Sequence, residues 1–343
     1  MATLDFIRKT VNDSDEYKFL RENKHLGNNI VLLGMGGSHA YGTERESSDI
    51  DIRGIATNSP RSILAGLDFE QVVDVPTDTT IYSVDKMFKL LCSCNPNAIE
   101  ILGLKDEHYL YVSKIGRVIL DNKDMFLSKK VIHTFGGYAN AQLRRMENKA
   151  ARTTTQGKQE ENIMKSIEHA LVDIRRRHKA FDEENLSLYV DDAENEEFEK
   201  ELFIDLKLSH YPLRDYVGLH SEMLTIVKEY SRNNHRNTNA ITHDKLGKHM
   251  MHLVRLYLMC FDILEKGEII TYRKADLPLL TSIRDGEYLN DGQPTSQFYE
   301  LLDEMNKRFD IAIANAVIPD VVDMERVYDV LATINRMVVE GDV

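Results

Sequence analysis

Two short segments of the sequence combine residue types that bind phosphate and divalent metal. The first is the glycine cluster Gly36-Gly37-Ser38, and the second is Asp49-Ile50-Asp51. Because side chains alternate across a strand, the two carboxylates are expected to share one face, while Ile50 and Ile52 face the core. Two ionised carboxylates on one face repel each other unless a cation lies between them. The spacing therefore predicts a metal site on this strand.

The ligand type indicates which metal this site would take. Oxygen ligands without thiolate or imidazole favour Mg²⁺ or Mn²⁺ over zinc. Two such ions, about 4 Å apart, hold an attacking oxygen and a triphosphate in line for displacement. We therefore predict that Asp49 and Asp51 are catalytic and bind the metal.

The glycine cluster supplies a complementary phosphate site. Gly36 and Gly37 let the backbone come close to a ligand, and Ser38 is expected to open a short helix and present its hydroxyl and amides to phosphate. No Gly-Lys-Ser/Thr follows, so this is not a Walker loop, and the G-x-G-x-x-G spacing of a dinucleotide site is missing. Taken alone, Asp-x-Asp is usually a solvated strand edge and Gly-Gly-Ser a turn. Their order between apolar strands makes the functional interpretation more specific.

Short strands and two helices are predicted around these segments. A helix is expected first, over residues 5–24, and a further helix follows residue 85 until Asn95-Pro96-Asn97 interrupts it. Apolar and β-branched runs predict four strands, over residues 30–33, 48–53, 70–75 and 79–84.

The rest of the chain is predicted to be almost entirely helical. The apolar spacing gives candidate helices at 128–148, 160–182, 213–232, 244–266, 296–315 and 322–339. The acidic stretch 184–200 is expected to be a loop or an insertion. The sequence thus predicts an α+β protein, with a small mixed-sheet domain over residues 1–127. A larger helical domain would follow over 128–343, carrying an acidic insertion near 184–212.

Composition limits the class of protein. The 343 residues are 42% hydrophobic and 29% charged, which is typical of a globular protein, and no apolar run approaches the length of a membrane span. The first residues lack the apolar centre of a signal peptide, so a cytoplasmic protein without a membrane partner is expected. The formal net charge of −13 argues against a broad basic surface for nucleic acid, although 144–179 is rich in Arg and Lys.

The motifs together resemble a known superfamily. Gly37-Ser38 followed by Asp49-Ile50-Asp51 resembles the DNA polymerase beta superfamily of nucleotidyltransferases. More closely, the chain is similar to bacterial and phage predicted nucleotidyltransferases called the RNA-repair-pathway polymerase-beta family. Further similar segments bring the resemblance to most of residues 30–340, and these segments are 95–102, 137–142, 248–256 and 280–287.

The resemblance implies an activity. A polymerase-beta-like catalytic domain would bind Mg²⁺ or Mn²⁺ and transfer a nucleoside monophosphate from an NTP, with ATP favoured, to a hydroxyl acceptor with release of pyrophosphate. An RNA 3′ end or a tRNA is the first expected acceptor, in a role in RNA repair. A protein or a small molecule is the alternative acceptor. A non-catalytic nucleotide-sensing module and an RNA-binding protein with a vestigial catalytic domain are alternatives of another class.

The superfamily also implies a third carboxylate on a neighbouring strand. Asp78, directly before the strand at 79–84, is the first candidate for this catalytic and metal-binding position. Asp74 in the preceding strand is the second. The third carboxylate would act as a general base for the acceptor hydroxyl or as a metal ligand.

A basic stripe is the remaining candidate for nucleotide binding. Lys248, His252 and Arg255 are spaced i, i+4 and i+7 and so share one helix face. Near a triphosphate, such a stripe would stabilise the phosphate charge, while the alternative is an exposed basic face. Asn97 and Glu100 are expected to hold the helix that supports the sheet rather than to touch substrate.

Overall fold

The computed structural model describes most of the chain, which divides into two compact units. The described residues are 3–46, 48–151, 172, 174, 186–192, 200–234, 243–290 and 293–342. The first unit comprises Met1–Ala139, Val254–Thr281 and Leu301–Val343, and the second comprises Asn140–Leu253 and Ser282–Glu300. The first unit therefore includes all of residues 1–127 and adds 128–139 and two later segments. A domain boundary at residue 127 stays a prediction.

The first unit contains a five-stranded mixed sheet. Its strands are β1 Ile30–Met35, β2 Ile52–Ala56, β3 Gln71–Asp74, β4 Thr79–Ser83 and β5 Tyr109–Val112. The order is β3-β4-β2-β1-β5, with β2 and β4 parallel and the other neighbours antiparallel. The mixed sheet confirms the predicted α+β class. The edge strand β5 was not predicted, because its sequence Tyr-Leu-Tyr-Val contains no alternation of apolar and charged residues.

Short helices connect these strands. They are α1 Leu4–Asp13, α2 Phe19–Glu22, α3 Gly37–Tyr41, α4 Pro60–Ala65, α5 Val84–Cys92, α6 Pro96–Ile99 and α7 Lys114–Asp121. The single opening helix predicted over 5–24 is wrong, because the chain becomes extended at Ser14, with φ −77° and ψ 153°. The run Asn12-Asp13-Ser14 explains the break, since these side chains compete for backbone hydrogen bonds that a helix would use.

One face of the sheet is covered by α1 and the segment that follows it. Ile7 and Val11 of α1 pack in the same buried cluster as Ile52 and Ile81 from the two parallel strands. Ile50 is half-buried and packs against this cluster. The prediction that the residues alternating with the two aspartates face the core is therefore confirmed. The opposite face is only partly covered, since Ile55 is fully buried there whereas Arg53 and Thr80 are half-buried.

Longer helices make up most of the remainder. They are α8 Lys130–Ala151, α9 Leu213–Asn234, α10 His243–Lys266, α11 Leu277–Asp285, α12 Ser296–Ala314 and α13 Met324–Glu340. Five of the six predicted helices in this part are confirmed, with ends that differ by a few residues. The sixth, over 160–182, lies outside the described residues except at 172 and 174, which are helical.

The acidic stretch differs from its prediction. Instead of a loop over 184–200, the second unit contains strands β6 Leu186–Asp192 and β7 Lys200–Leu206, which pair antiparallel. Leu186 and Leu188 are buried with Leu219 of α9, because alternate apolar residues of β6 face one side. The acidic residues masked this alternation. Two-residue strands β8 Leu289–Asn290 and β9 Gln293–Pro294 form a separate two-stranded sheet. Across the described residues, none of the helices has the length and apolar character of a membrane span.

Candidate active site

The turn from β1 into α3 brings glycine backbone against a carboxylate. Helix α3 begins at Gly37, with Gly36 as its N-terminal cap, so the predicted short helix at this turn is confirmed. Gly37 has φ +54°, and a Cβ atom added there would lie 1.5 Å from Oδ2 of Asp51. Any other residue would be strained at this φ, and its Cβ would displace the Asp51 carboxylate. Ser38 follows in the first turn of α3 and is half-buried.

The aspartate pair lies just before β2 rather than inside it. The strand begins at Ile52, and the backbone N–H of Gly36 donates to the carbonyl of Asp51 at 2.8 Å. Asp51 thus extends the β1–β2 pairing by one hydrogen bond and is half-buried, while Asp49 precedes it and is exposed. Because the pair precedes β2, the Asp51 carboxylate lies beside the glycine turn and Asp49 is exposed to solvent.

A buried tyrosine holds this segment from the core side. The Tyr17 hydroxyl donates to the carbonyl of Ile50 at 3.3 Å. Burial, together with the nearby carboxylates of Glu16, Asp51 and Asp74, raises the pKa of Tyr17 to about 12. Tyr17 therefore remains a neutral donor at physiological pH and fixes the backbone between the two aspartates.

The two candidates for the third carboxylate lie in different surroundings. Asp78 is exposed, has φ +42° and accepts a hydrogen bond from Arg53 Nη2 at 3.0 Å. Asp74 accepts from the N–H and the hydroxyl of Thr77, at 3.1 and 2.8 Å, and so closes the turn. In the β3–β4 strand pairing Asp74 lies opposite Thr79, which is fully buried.

Acidic side chains do not assemble into a triad here. Within the described ranges, no group of three His, Cys, Asp or Glu side chains is arranged to hold a metal ion. The side chains of β4 on the open face belong to Thr80 and Tyr82. A third carboxylate therefore stays a prediction.

A polar pocket of about 230 Å³ opens on this face of the sheet. Its walls come from the β1–α3 turn, the open faces of β2 and β4, and the segment after α5. The lining residues are Met35, Gly36, Gly37, Ala40, Tyr41, Arg53, Thr80, Tyr82, Asn97, Glu100 and Ile101. Both glycines of the predicted phosphate site thus line a cavity, beside the Asp51 carboxylate.

A buried ion pair lies behind the pocket wall. Arg255 of α10 donates from Nη1 to Glu100 Oε1 at 2.5 Å, and its guanidinium lies 3.7 Å from the centre of the Tyr41 ring. The Tyr41 hydroxyl donates to the other carboxylate oxygen of Glu100. Burial raises the pKa of Tyr41 well above its ordinary value, so the phenol stays protonated and keeps this bond. We call Tyr41, Glu100 and Arg255 the buried network.

The structure divides the predicted basic stripe. Arg255 belongs to the first unit and is bound to Glu100 rather than lining the pocket. Lys248 is exposed and His252 half-buried, and both belong to the second unit. Of the three residues, only Arg255 therefore lies in the unit that holds the pocket.

Several pocket residues were not predicted from the sequence. Arg53 follows Asp51 by two residues, and Thr80 is its partner in the parallel pairing. The alternation that placed the aspartates on one face also places Arg53 there, so this residue could have been found. Glu100 was expected to be structural only, but it also lines the pocket.

The donor set fits a hard divalent cation. Asp49 and Asp51 offer carboxylate oxygens, which suit Mg²⁺ or Mn²⁺, and neither thiolate nor imidazole is among the pocket residues. The absence of a side chain at Gly37 gives the Asp51 carboxylate its place beside the turn. Asp49 and Asp51 are therefore the candidates among the described residues that would hold such an ion.

Comparison with known families decides the relationship. The sequence profile described as the RNA repair pathway DNA polymerase beta family matches residues 11–284, well over half of the chain. The match contains the glycine turn, the aspartate pair and the buried network. The chain belongs to the RNA repair pathway DNA polymerase beta family.

Membership in the RNA repair pathway DNA polymerase beta family supports a nucleotidyltransferase-like role with a nucleotide as substrate. It agrees with the resemblance drawn from the glycine and aspartate segments. The same comparisons find no matching curated protein and no matching solved structure.

Proposed function

We propose that the protein is a divalent-metal-dependent nucleotidyltransferase that moves a nucleoside monophosphate from an NTP to a hydroxyl acceptor. The observation that carries this proposal is the packing of the Asp51 carboxylate against Gly37, at a pocket lined by both turn glycines. On this proposal the Asp51 carboxylate binds the metal, and the glycine backbone beside it would accommodate the phosphates.

Binding of the nucleotide would use residues from three elements. Gly36, Gly37 and Ser38 hold the β- and γ-phosphates at the β1–α3 turn, and Asp49 with Asp51 binds Mg²⁺ or Mn²⁺. When bound, the metal neutralises phosphate charge and orients the triphosphate. The Tyr17 bond to the Ile50 carbonyl keeps the aspartate segment in register with the turn.

The reaction would be an in-line displacement at the α-phosphorus. The acceptor oxygen forms a bond to this phosphorus, the bond to pyrophosphate breaks, and the hydroxyl proton passes to water. The protein contributes mainly by positioning the reactants and balancing charge, as in other phosphoryl transfers. Asp49 is exposed and so is open to an acceptor that arrives from solvent.

An RNA 3′ end or a tRNA is the acceptor that we propose first, because the family is described by an RNA repair pathway. The net charge of −13 fits the alternative, a protein or small-molecule acceptor, at least as well, because net negative charge repels RNA. ATP is the favoured nucleotide. A nucleotide sensor is the non-catalytic alternative.

A labelling experiment separates these acceptors. The full chain is incubated with each α-³²P-labelled NTP, Mg²⁺ and either total cellular RNA or a protein lysate. Label in an RNA band supports the proposed acceptor, and label in a protein band supports the alternative. Asp49→Asn and Asp51→Asn should abolish labelling of RNA and of protein. The control Asp121→Asn replaces an exposed aspartate of α7 and should retain the wild-type signal. Nucleotide binding without label or pyrophosphate release would favour the sensor.

A further inference from the structure

Arg53 occupies a position in the pocket that neither the metal nor the glycine turn explains. Its side chain leaves β2 on the open face of the sheet, next to Thr80. Its Cγ atom would lie 3.1 Å from a Cβ atom added at Gly36. The arginine therefore lies directly over the backbone that is proposed to hold phosphate.

The guanidinium is fixed by acceptors from the neighbouring turn. Nη1 donates to the carbonyl of Ile52 at 3.0 Å and to the carbonyl of Asp78, and Nη2 donates to Asp78 Oδ1 at 3.0 Å. A guanidinium has five N–H donors in a planar fork, so these three described bonds leave donors for a ligand in the pocket. The orientation of Arg53 is thus set before any ligand arrives.

The charges around the pocket also indicate that an anionic ligand would contact Arg53. Of the residues described as lining it, Arg53 is the one cation. The lining carboxylate of Glu100 is already paired with Arg255, which removes its repulsion towards a phosphate. The Asp51 carboxylate lies close by, so a triphosphate at this turn would meet net negative charge without Arg53.

Asp78 contacts Arg53 with both backbone and side chain, although the pair is too exposed to stabilise the fold appreciably. The side chains of Arg53 and Asp78 are 27% and 62% exposed, and ion pairs with this exposure contribute little to stability. Asp78 adopts φ +42°, which turns its carbonyl and carboxylate towards the same guanidinium. This geometry holds the guanidinium fork in one orientation.

We infer that Arg53 is a phosphate-binding residue of the nucleotide site and that Asp78 is a positioning residue acting through Arg53. The inference rests on the proposed function, since it assigns a contact to the same NTP. It gives Asp78 a different role from the third metal ligand expected from the sequence.

Binding of inorganic tripolyphosphate tests this assignment in the full chain by isothermal titration calorimetry. Arg53→Gln should weaken binding about tenfold or more, because a charge-assisted contact to phosphate is lost. Arg53→Lys should recover only part of the affinity, because lysine keeps the charge but lacks the fork. The matched control is Arg326→Gln, which breaks another exposed Arg–Asp pair, with Asp124, outside the pocket and should leave binding unchanged.

The role of Asp78 is tested by a double-mutant cycle. Asp78→Asn should weaken tripolyphosphate binding less than Arg53→Gln, and adding it to Arg53→Gln should cause no further loss. Asparagine tolerates positive φ, so this variant keeps the turn. The Mg²⁺ concentration for half-maximal NTP turnover should be unchanged in Asp78→Asn.

Three results would decide against the inference. Wild-type affinity in Arg53→Gln overturns the phosphate contact, and independent, multiplicative losses in the double variant overturn the positioning role. A raised Mg²⁺ requirement in Asp78→Asn makes this residue a metal ligand instead. Tripolyphosphate binding that depends on Arg53 in a protein without NTP turnover would keep the inference and reject the proposed reaction. Turnover that is insensitive to Arg53 would reject the inference alone.

Discussion

Two ion pairs border the same pocket, and they differ in burial. Arg255 and Glu100 are almost fully buried, share Tyr41 and join a helix late in the chain to the pocket wall. Arg53 and Asp78 are partly exposed and join β2 to the turn that precedes β4. A buried charge without its partner is costly, whereas an exposed one is solvated by water. The first pair should therefore determine stability and the second should determine ligand binding.

Breaking the buried pair should give the largest effect. Arg255→Met leaves the Glu100 carboxylate buried without its cation, so we expect a loss of about 3–5 kcal/mol in the free energy of unfolding. Urea denaturation followed by circular dichroism measures this loss. Adding Glu100→Gln to Arg255→Met should recover part of it, and a loss below about 1 kcal/mol in the single variant would contradict the comparison.

A substitution at Gly37 tests the site separately from the two ion pairs, because it displaces the Asp51 carboxylate and changes neither pair. Gly37→Ala should abolish NTP turnover, because its methyl group would occupy the place of the Asp51 carboxylate. Gly66→Ala is the matched control, since Gly66 has φ +65° and nothing lies within 4 Å of its added Cβ atom. Both variants should lose about 1 kcal/mol or more through backbone strain, but only Gly37→Ala should lose activity. Equal activity in the two would remove the steric argument.

Alkaline pH should reveal the contribution of Tyr41. Its pKa is raised above the ordinary value of 10.0, chiefly by burial, so the folded state keeps the proton more tightly than the unfolded state. Its contribution is complete below pH 10 and falls as the pH rises above 10, by about 1.4 kcal/mol per pH unit. Tyr41→Phe should show a shallower decline than wild type in the free energy of unfolding measured from pH 8 to 11. Identical slopes would mean that Tyr41 ionises equally in both states.

The smallest effect on stability is expected at the exposed pair. Asp78→Asn should change the free energy of unfolding by no more than about 0.5 kcal/mol, because the carboxylate is largely solvated. The same urea titration measures it beside Arg255→Met. A loss comparable with that of Arg255→Met would show that both pairs hold the fold.

The local motifs were predictable because their spacing fixes their geometry. The order of Gly37 and the aspartates predicted the position of the turn. The alternation of Ile50 and Ile52 with the aspartates predicted the buried face, and together the motifs predicted the fold class. The start of β2 at Ile52 was not predictable, because it depends on where the partner strand ends: Ile52 pairs with Met35, the last residue of β1.

Most differences between the predictions and the structure come from features that a local sequence pattern does not contain. Arg255 looked like part of a basic helix face, and only the packing of Tyr41 and Glu100 against it shows a buried pair. Asp78 is paired through a turn whose positive φ no apolar pattern encodes. The β6–β7 hairpin was missed because its acidic residues outweighed the alternating apolar ones.

Pyrophosphate release is the measurement that tests the central claim most directly. Wild-type protein, Asp51→Asn and the control Asp121→Asn are each given NTP, Mg²⁺ and the acceptor fraction that takes up label. Wild type and Asp121→Asn should release pyrophosphate in proportion to label transferred, and Asp51→Asn should release none while keeping its circular dichroism spectrum. Undiminished release by a folded Asp51→Asn would contradict the assignment of the site.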